Sequence, residues 1–115
     1  MDSNEKILLV LKSSMIGDNE PVLGEKLMKL FLQTLLEKKN YPAKIICQHT
    51  GIFLTTDGSP VLDILKDFEQ NGTEILSCGT CLNYYNRTDK IKVGKSTNMK
   101  DTVDALLEFK RIIQP

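Results

Sequence analysis

The sequence predicts an α/β domain of three layers, α/β/α, around a mostly parallel sheet of about five strands. Two observations carry that expectation. Short apolar runs alternate with longer segments of helical periodicity, an order that yields parallel strands joined by right-handed crossovers. The first run, Ile7-Leu8-Leu9-Val10-Leu11 between Lys6 and Lys12, shows no polar alternation, which suits a strand covered on both faces.

Each element follows in order. Ser13 to Asn19 reads as a loop. From Pro21 to about Lys39, Leu23, Leu27, Phe31 and Leu35 recur at every fourth position. Met28, Leu32 and Leu36 widen this stripe, which is expected to face the core. Pro21 sits in the first turn, where its missing N–H is harmless, and Asn40-Tyr41-Pro42 ends the helix. Lys44 to Gln48 is a second strand, His49-Thr50-Gly51 a loop, and Ile52 to Thr56 either a helical turn or a strand extension. Ser59 as N-cap and Pro60 as first residue open a second helix that buries Val61, Leu62, Leu65 and Phe68, closed by Asn71-Gly72. Glu74 to Ser77 is a third strand and runs directly into Cys78. Leu82 to Tyr85 opens a short helix, and Ile91-Lys92-Val93 is weak strand or loop. Asn98, with Asp101 three residues on, caps a last helix expected to bury Val103, Leu106, Leu107 and Phe109. Arg111-Ile112-Ile113 fits a final short strand.

Composition bounds the function. A chain of 115 residues is expected to form one domain over 1–115 and to bury roughly two-thirds of the surface its unfolded form exposes. Hydrophobic residues at 41% and charged residues at 26% are ordinary for a globular domain and argue against disordered and membrane classes. Trp is absent and aromatic residues are 6% of the chain, so the core is aliphatic. Lys+Arg and Asp+Glu both number 15, which leaves no basic field to attract nucleic acid. The amino terminus, Met1-Asp2-Ser3-Asn4-Glu5, is acidic where a signal peptide is basic, and the apolar run after it is too short for a membrane span. A cytoplasmic location is the resulting expectation. In that reducing setting the odd set Cys47, Cys78 and Cys81 disfavours a disulfide framework and raises metal or redox chemistry instead.

The chemistry centres on Cys78-Gly79-Thr80-Cys81. In open α/β sheets, ligands gather at the carboxyl ends of the strands. Three predicted strands end there, at Ser13-Ser14, at Gln48-His49-Thr50 and at the Cys-x-x-Cys motif. Backbone N–H groups at a strand-to-helix turn stabilise a thiolate, and Gly79 permits a positive φ if the turn needs one. Cys81, one helical turn on, is placed to trap a disulfide or accept sulfur. The competing reading is a pair of small apolar residues filling a tight turn. A zinc site needs four ligands where the motif offers two, with His49 and Cys47 as the other soft donors and Cys47 expected in the core; no metal and no cofactor is expected. Around Cys78 and Cys81, the candidate pocket residues are Ser13, Ser14, His49, Gly79, Thr80 and Tyr84. His49 is either a proton shuttle or a loop imidazole bonded to backbone, and Tyr84 either a pocket wall or a packing residue. Dinucleotide and P-loop motifs are absent. A thioredoxin reading lacks the proline that faces such a site, since no Pro follows Cys81 before Pro115.

Gly51, Gly58-Ser59-Pro60-Val61-Leu62, Gly72, the string Ile75-Leu76-Ser77-Cys78-Gly79-Thr80-Cys81-Leu82-Asn83-Tyr84-Tyr85, and the later Val93-Gly94 and Asn98-Met99 resemble one family. It is the DsrE-like domain at the carboxyl end of YedF-type selenium-metabolism proteins. With Gly17 and the Leu23 to Phe31 helix, the likeness covers nearly the whole chain. It implies a DsrE/DsrF-like fold and a persulfide-carrying cysteine, Cys78 or Cys81, with Cys78 favoured because it leaves the strand first. The implied activity is that of a sulfur carrier or sulfurtransferase; the alternative is a non-catalytic ligand- or partner-binding module. The resemblance also implies homo-oligomers, as dimers, trimers or hexamers. A TusA-like sulfur-carrier partner is implied too, acting as a separate protein because this chain opens on its own first strand. His49 departs from the family pattern, which carries Asn at that place.

Overall fold

The continuous apolar runs become strands because each is buried from both sides. In the computed structural model, which describes residues 6–115, β1 (Ile7–Leu11) is buried along its whole length. The acidic Met1–Glu5 segment lies outside the described residues. After β1 come α1 (Pro21–Glu37), β2 (Lys44–Cys47), a 3-10 segment (His49–Leu54), α2 (Leu62–Gln70) and β3 (Glu74–Cys78). The chain ends with α3 (Gly79–Tyr84), β4 (Lys95–Thr97), α4 (Met99–Glu108) and β5 (Arg111–Ile113). The five strands form one sheet in the order β4-β3-β2-β1-β5, and every pairing is parallel. All the carboxyl ends therefore lie along one edge.

Alternate strand residues serve opposite faces, as the two-residue period of a strand requires. Leu9, Leu11, Ile45, Cys47 and Ile75 pack with Met28 and Leu32 of α1 and Leu65 and Phe68 of α2. Leu8, Val10, Ile46 and Leu76 face the other way, onto Ala105 of α4, with Phe109 and Ile112 beside them. This is the expected three-layer α/β/α arrangement. Among the described residues no helix is long and apolar enough to cross a membrane.

Four local expectations change. The spine of α1 that meets the core is Gly24, Met28 and Leu32, while Leu23 and Leu27 are exposed. That helix is apolar on several sides, so its periodicity admits two spines. The 13–17 loop returns onto one of them through an Ile16 N–H that donates to the Gly24 carbonyl (3.0 Å). On α4 the buried residues are Thr102 and Ala105, whereas Val103, Leu106 and Leu107 face outward, Leu107 with 80% of its surface free. Small side chains make the contact with the sheet, and the large ones face away. Helix α2 starts at Leu62 with Val61 as N-cap; the Ser59 hydroxyl instead accepts the Val61 N–H (3.1 Å), closing the turn ahead of the helix. The fourth strand lies at Lys95–Thr97 rather than 91–93, and Ile91 makes only an isolated antiparallel bridge with Thr56.

Asn98 caps α4 as expected, its side-chain oxygen accepting the Asp101 N–H (2.8 Å). Cys47 is fully buried in the core, and that burial pushes its thiol up to about 12 from an ordinary 9.0. A folded-state value above the unfolded one favours folding below the unfolded value and loses that contribution as pH rises. Between about pH 8 and about pH 10.5 this thiol should remove about 2 kcal/mol of stability. Urea unfolding of Cys47→Val over the same range should show a fall smaller by that amount than in the parent chain.

Candidate functional site

The carboxyl edge of the sheet opens into a cavity of about 570 Å³, within the range of small-molecule sites. Lys12 reaches it from the end of β1, and Gln48 and His49 from the end of β2. Cys78, Thr80 and Cys81 line it from the β3–α3 junction, and Met99 from the start of α4. Strand-end geometry thus gathers the thiol pair and His49 in one place.

Cys78 ends β3 and is the N-cap of α3, with extended backbone (φ −60°, ψ 120°). Helix N-termini leave N–H groups without partners, and a side-chain acceptor at the N-cap takes one of them. Here sulfur replaces the usual oxygen: the Cys81 N–H donates to Cys78 Sγ (3.4 Å). Gly79 does not use the positive φ open to glycine. It matters because the Thr97 carbonyl of β4 would lie 3.1 Å from an added Cβ.

Cys81 is held from the opposite side. The His49 N–H donates to Cys81 Sγ (3.0 Å), and His49 adopts a left-handed backbone (φ 55°), a region in which His and Asn are over-represented. The 3-10 segment that begins with His49 is seated on the end of β1. The Gln48 N–H donates to the Leu11 carbonyl (3.0 Å), and Gly51 lies against that same carbonyl so closely that a Cβ would collide with it. At its far end the hydroxyls of Thr55 and Ser77, both fully buried, are bonded at 2.7 Å, and the Thr55 hydroxyl donates to the Ile52 carbonyl (3.1 Å).

The Cys81 thiol is pushed up, chiefly by burial and next by its own hydrogen bond to Cys78; the His49 N–H pulls the other way and is outweighed. The Cys81 backbone N–H points its positive end at Cys78 Sγ.

Other expected pocket residues lie elsewhere. The Ser13 hydroxyl accepts the Met15 N–H (3.1 Å) and a hydrogen bond from the Thr50 hydroxyl (3.4 Å). The Ser14 N–H donates to the Thr50 hydroxyl oxygen (3.3 Å). These two serines fasten the loop to the 3-10 segment and do not line the thiol cavity; Ser14 lines a separate cavity of about 480 Å³ beside Arg87 and Asp57. Tyr84 is 78% exposed and packs edge-on against Tyr85 (5.0 Å between centroids), outside the thiol cavity. Lys12, Gln48 and Met99 line the cavity without having been among the candidate pocket residues. Lys12 and Gln48 directly end their apolar runs, the one signal that marks them. Among the described residues no group of three or more His, Cys, Asp or Glu side chains converges to hold a metal ion.

No known sequence family matches the chain, and no curated protein matches it. Solved structures do. The E. coli ychN protein superposes with a TM-score of 0.71 at 11% identity, over 96% of this chain and 99% of that one. A protein of unknown function from Methanobacterium thermoautotrophicum gives 0.66 at 14% identity, over 97% and 100%. One from Bacteroides thetaiotaomicron gives 0.68 at 15% identity, over 100% and 99%. The chain has the DsrE/DsrF-like fold. At these identities the likeness speaks to architecture, and the chemistry rests on the residues themselves.

Two outcomes test this geometry. If His49 acts on Cys81 through its backbone, His49→Gly and His49→Asn, which tolerate the left-handed conformation, should alkylate at Cys81 within about threefold of the parent rate. A loss beyond about tenfold in both would assign the effect to the imidazole. Gly51→Ala should destabilise the chain by about 1–3 kcal/mol in urea unfolding, because backbone must move to admit the methyl group.

Proposed function

We propose that this protein is a small sulfur carrier that relays sulfur through a persulfide on Cys78. One observation carries the reading: two thiols share a strand-end cavity, and the Cys81 N–H is directed at the Cys78 sulfur. The Cys78 thiolate attacks the terminal sulfur of a sulfane donor such as polysulfide. A Cys78–S–S⁻ persulfide forms as the donor's S–S bond breaks and the shortened donor leaves with the bonding electrons. A partner thiolate then takes the outer sulfur and returns Cys78 as thiolate. Alternatively Cys81, giving up its proton, attacks Cys78 Sγ; a disulfide closes and the outer sulfur leaves with that proton as HS⁻. The YedF-type resemblance around Ser77-Cys78-Gly79-Thr80-Cys81-Leu82 supports a TusA-like protein as the exchanging partner.

Exposure to polysulfide should add one sulfur atom by intact mass, or remove two hydrogens with release of sulfide once Cys81 has attacked. Cys78→Ser should abolish both. If several sulfane donors leave the mass unchanged, the carrier reading falls and a non-catalytic binding module takes its place.

The same reading includes self-association. Val103, Leu106 and Leu107 of α4 and Leu23 and Leu30 of α1 expose apolar surface, the kind of surface that copies of a chain cover by association. Val103→Lys with Leu107→Lys should lower the mass measured by sedimentation equilibrium without unfolding the chain. An unchanged mass would remove α4 from the interface.

A further inference from the structure

Apart from the reacting thiols and His49, the one ionisable side chain lining the thiol cavity is Lys12, and no carboxylate lines it. Lys12 is exposed, and none of the ion pairs among the described residues includes it. Gln48 and Thr80 add an amide and a hydroxyl to the same wall, and Met99 supplies an apolar one. An ammonium with neutral polar neighbours is a receptor for an oxyanion.

Resting on the carrier reading, we propose that the donor taken by this cavity is a thiosulfonate, R–SO₂–S⁻, with an organic R group. Its oxyanion is bonded directly to the sulfur being transferred, so Lys12 can hold the sulfonyl oxygens while the outer sulfur meets Cys78 Sγ. Met99 bounds the space for R, and a cavity of about 570 Å³ is roomier than inorganic thiosulfate requires. The Cys78 thiolate attacks the outer sulfur and the Cys78–S bond forms. The S–SO₂R bond breaks, and its electron pair leaves with R–SO₂⁻. Cys78 ends as persulfide, the outer sulfur keeps its negative charge, and the donor leaves as sulfinate. The sulfinate needs no proton on departure, which fits a cavity that no carboxyl group lines.

The test is single-turnover release of benzenesulfinate from sodium benzenethiosulfonate, measured chromatographically with the full chain. One sulfinate appears per loading event, whatever Cys81 does next. Lys12→Gln should slow release about tenfold and Lys12→Glu about a hundredfold, as loss and then reversal of a charge-assisted contact predicts. Alkylation of Cys78 by neutral iodoacetamide, read by peptide mass, should stay within about threefold across the three proteins, because it needs the thiolate but not the oxyanion contact. Equal sulfinate release in the parent and Lys12→Glu overturns the proposal. So does a parallel fall in alkylation, which would place Lys12's effect on the thiol rather than the donor. If polysulfide loads Cys78 and benzenethiosulfonate does not, the thiosulfonate assignment fails while the carrier reading stands. If neither loads, both fall.

Discussion

The Leu11 carbonyl is the point on which the site depends. It closes β1 and accepts the first hydrogen bond after β2, from the Gln48 N–H, and it presses against the bare Cα of Gly51. These contacts set the height of the 3-10 segment above the sheet, and with it the His49 N–H that meets Cys81. A side chain at position 51 would lift the segment and draw the His49 N–H away from Cys81. The buried Thr55–Ser77 pair holds the other end of the segment to β3, the strand that delivers Cys78. One rigid bracket therefore spans the first three strands and determines where both sulfurs lie.

Within that bracket the two thiols are unlike each other although they share a motif. Cys78 is nearly enclosed and takes its backbone hydrogen bond from the first turn of its own helix. Cys81 is more open, takes its hydrogen bond from another strand end, and is driven by burial toward its protonated form. Under the proposed relay, the more open Cys81 would wait as resolving thiol while the nearly enclosed Cys78 receives sulfur. Cys47 belongs to neither role. It fills core space between sheet and helices, where desolvation keeps it inert.

The three central strands were legible in the sequence because uninterrupted apolar runs between polar flanks have few other uses, whereas β4, Lys-Ser-Thr, carries no apolar signal at all. The cap at Asn98 was legible because an acceptor three residues before an acidic residue has a specific hydrogen-bonding purpose. The outward faces of α1 and α4 were not. Periodicity reveals which residues are apolar, while the choice of buried stripe depends on what approaches. At α4 the contact fell to Thr102 and Ala105, two residues with little hydrophobic signal. In the site, Cys78, Cys81 and His49 stood out by side-chain chemistry and the strand ends brought them together. Two features lacked such a signal. A lysine after a strand is ordinarily a solvated flank, which hid Lys12. The His49 contribution to Cys81 is a backbone N–H, which any residue other than proline would supply.

The strand order carries one more consequence. Both outer strands, β4 and β5, have only three residues each. Lys95 and Arg111 are exposed at their starts. Short edges bearing cations are poor templates for an added strand. The sheet is thereby protected against edge-to-edge growth into fibrils, even though its centre is built from aliphatic segments that would be prone to aggregation if uncovered. Contact with other molecules is steered away from the backbone rim and toward side chains on the helices.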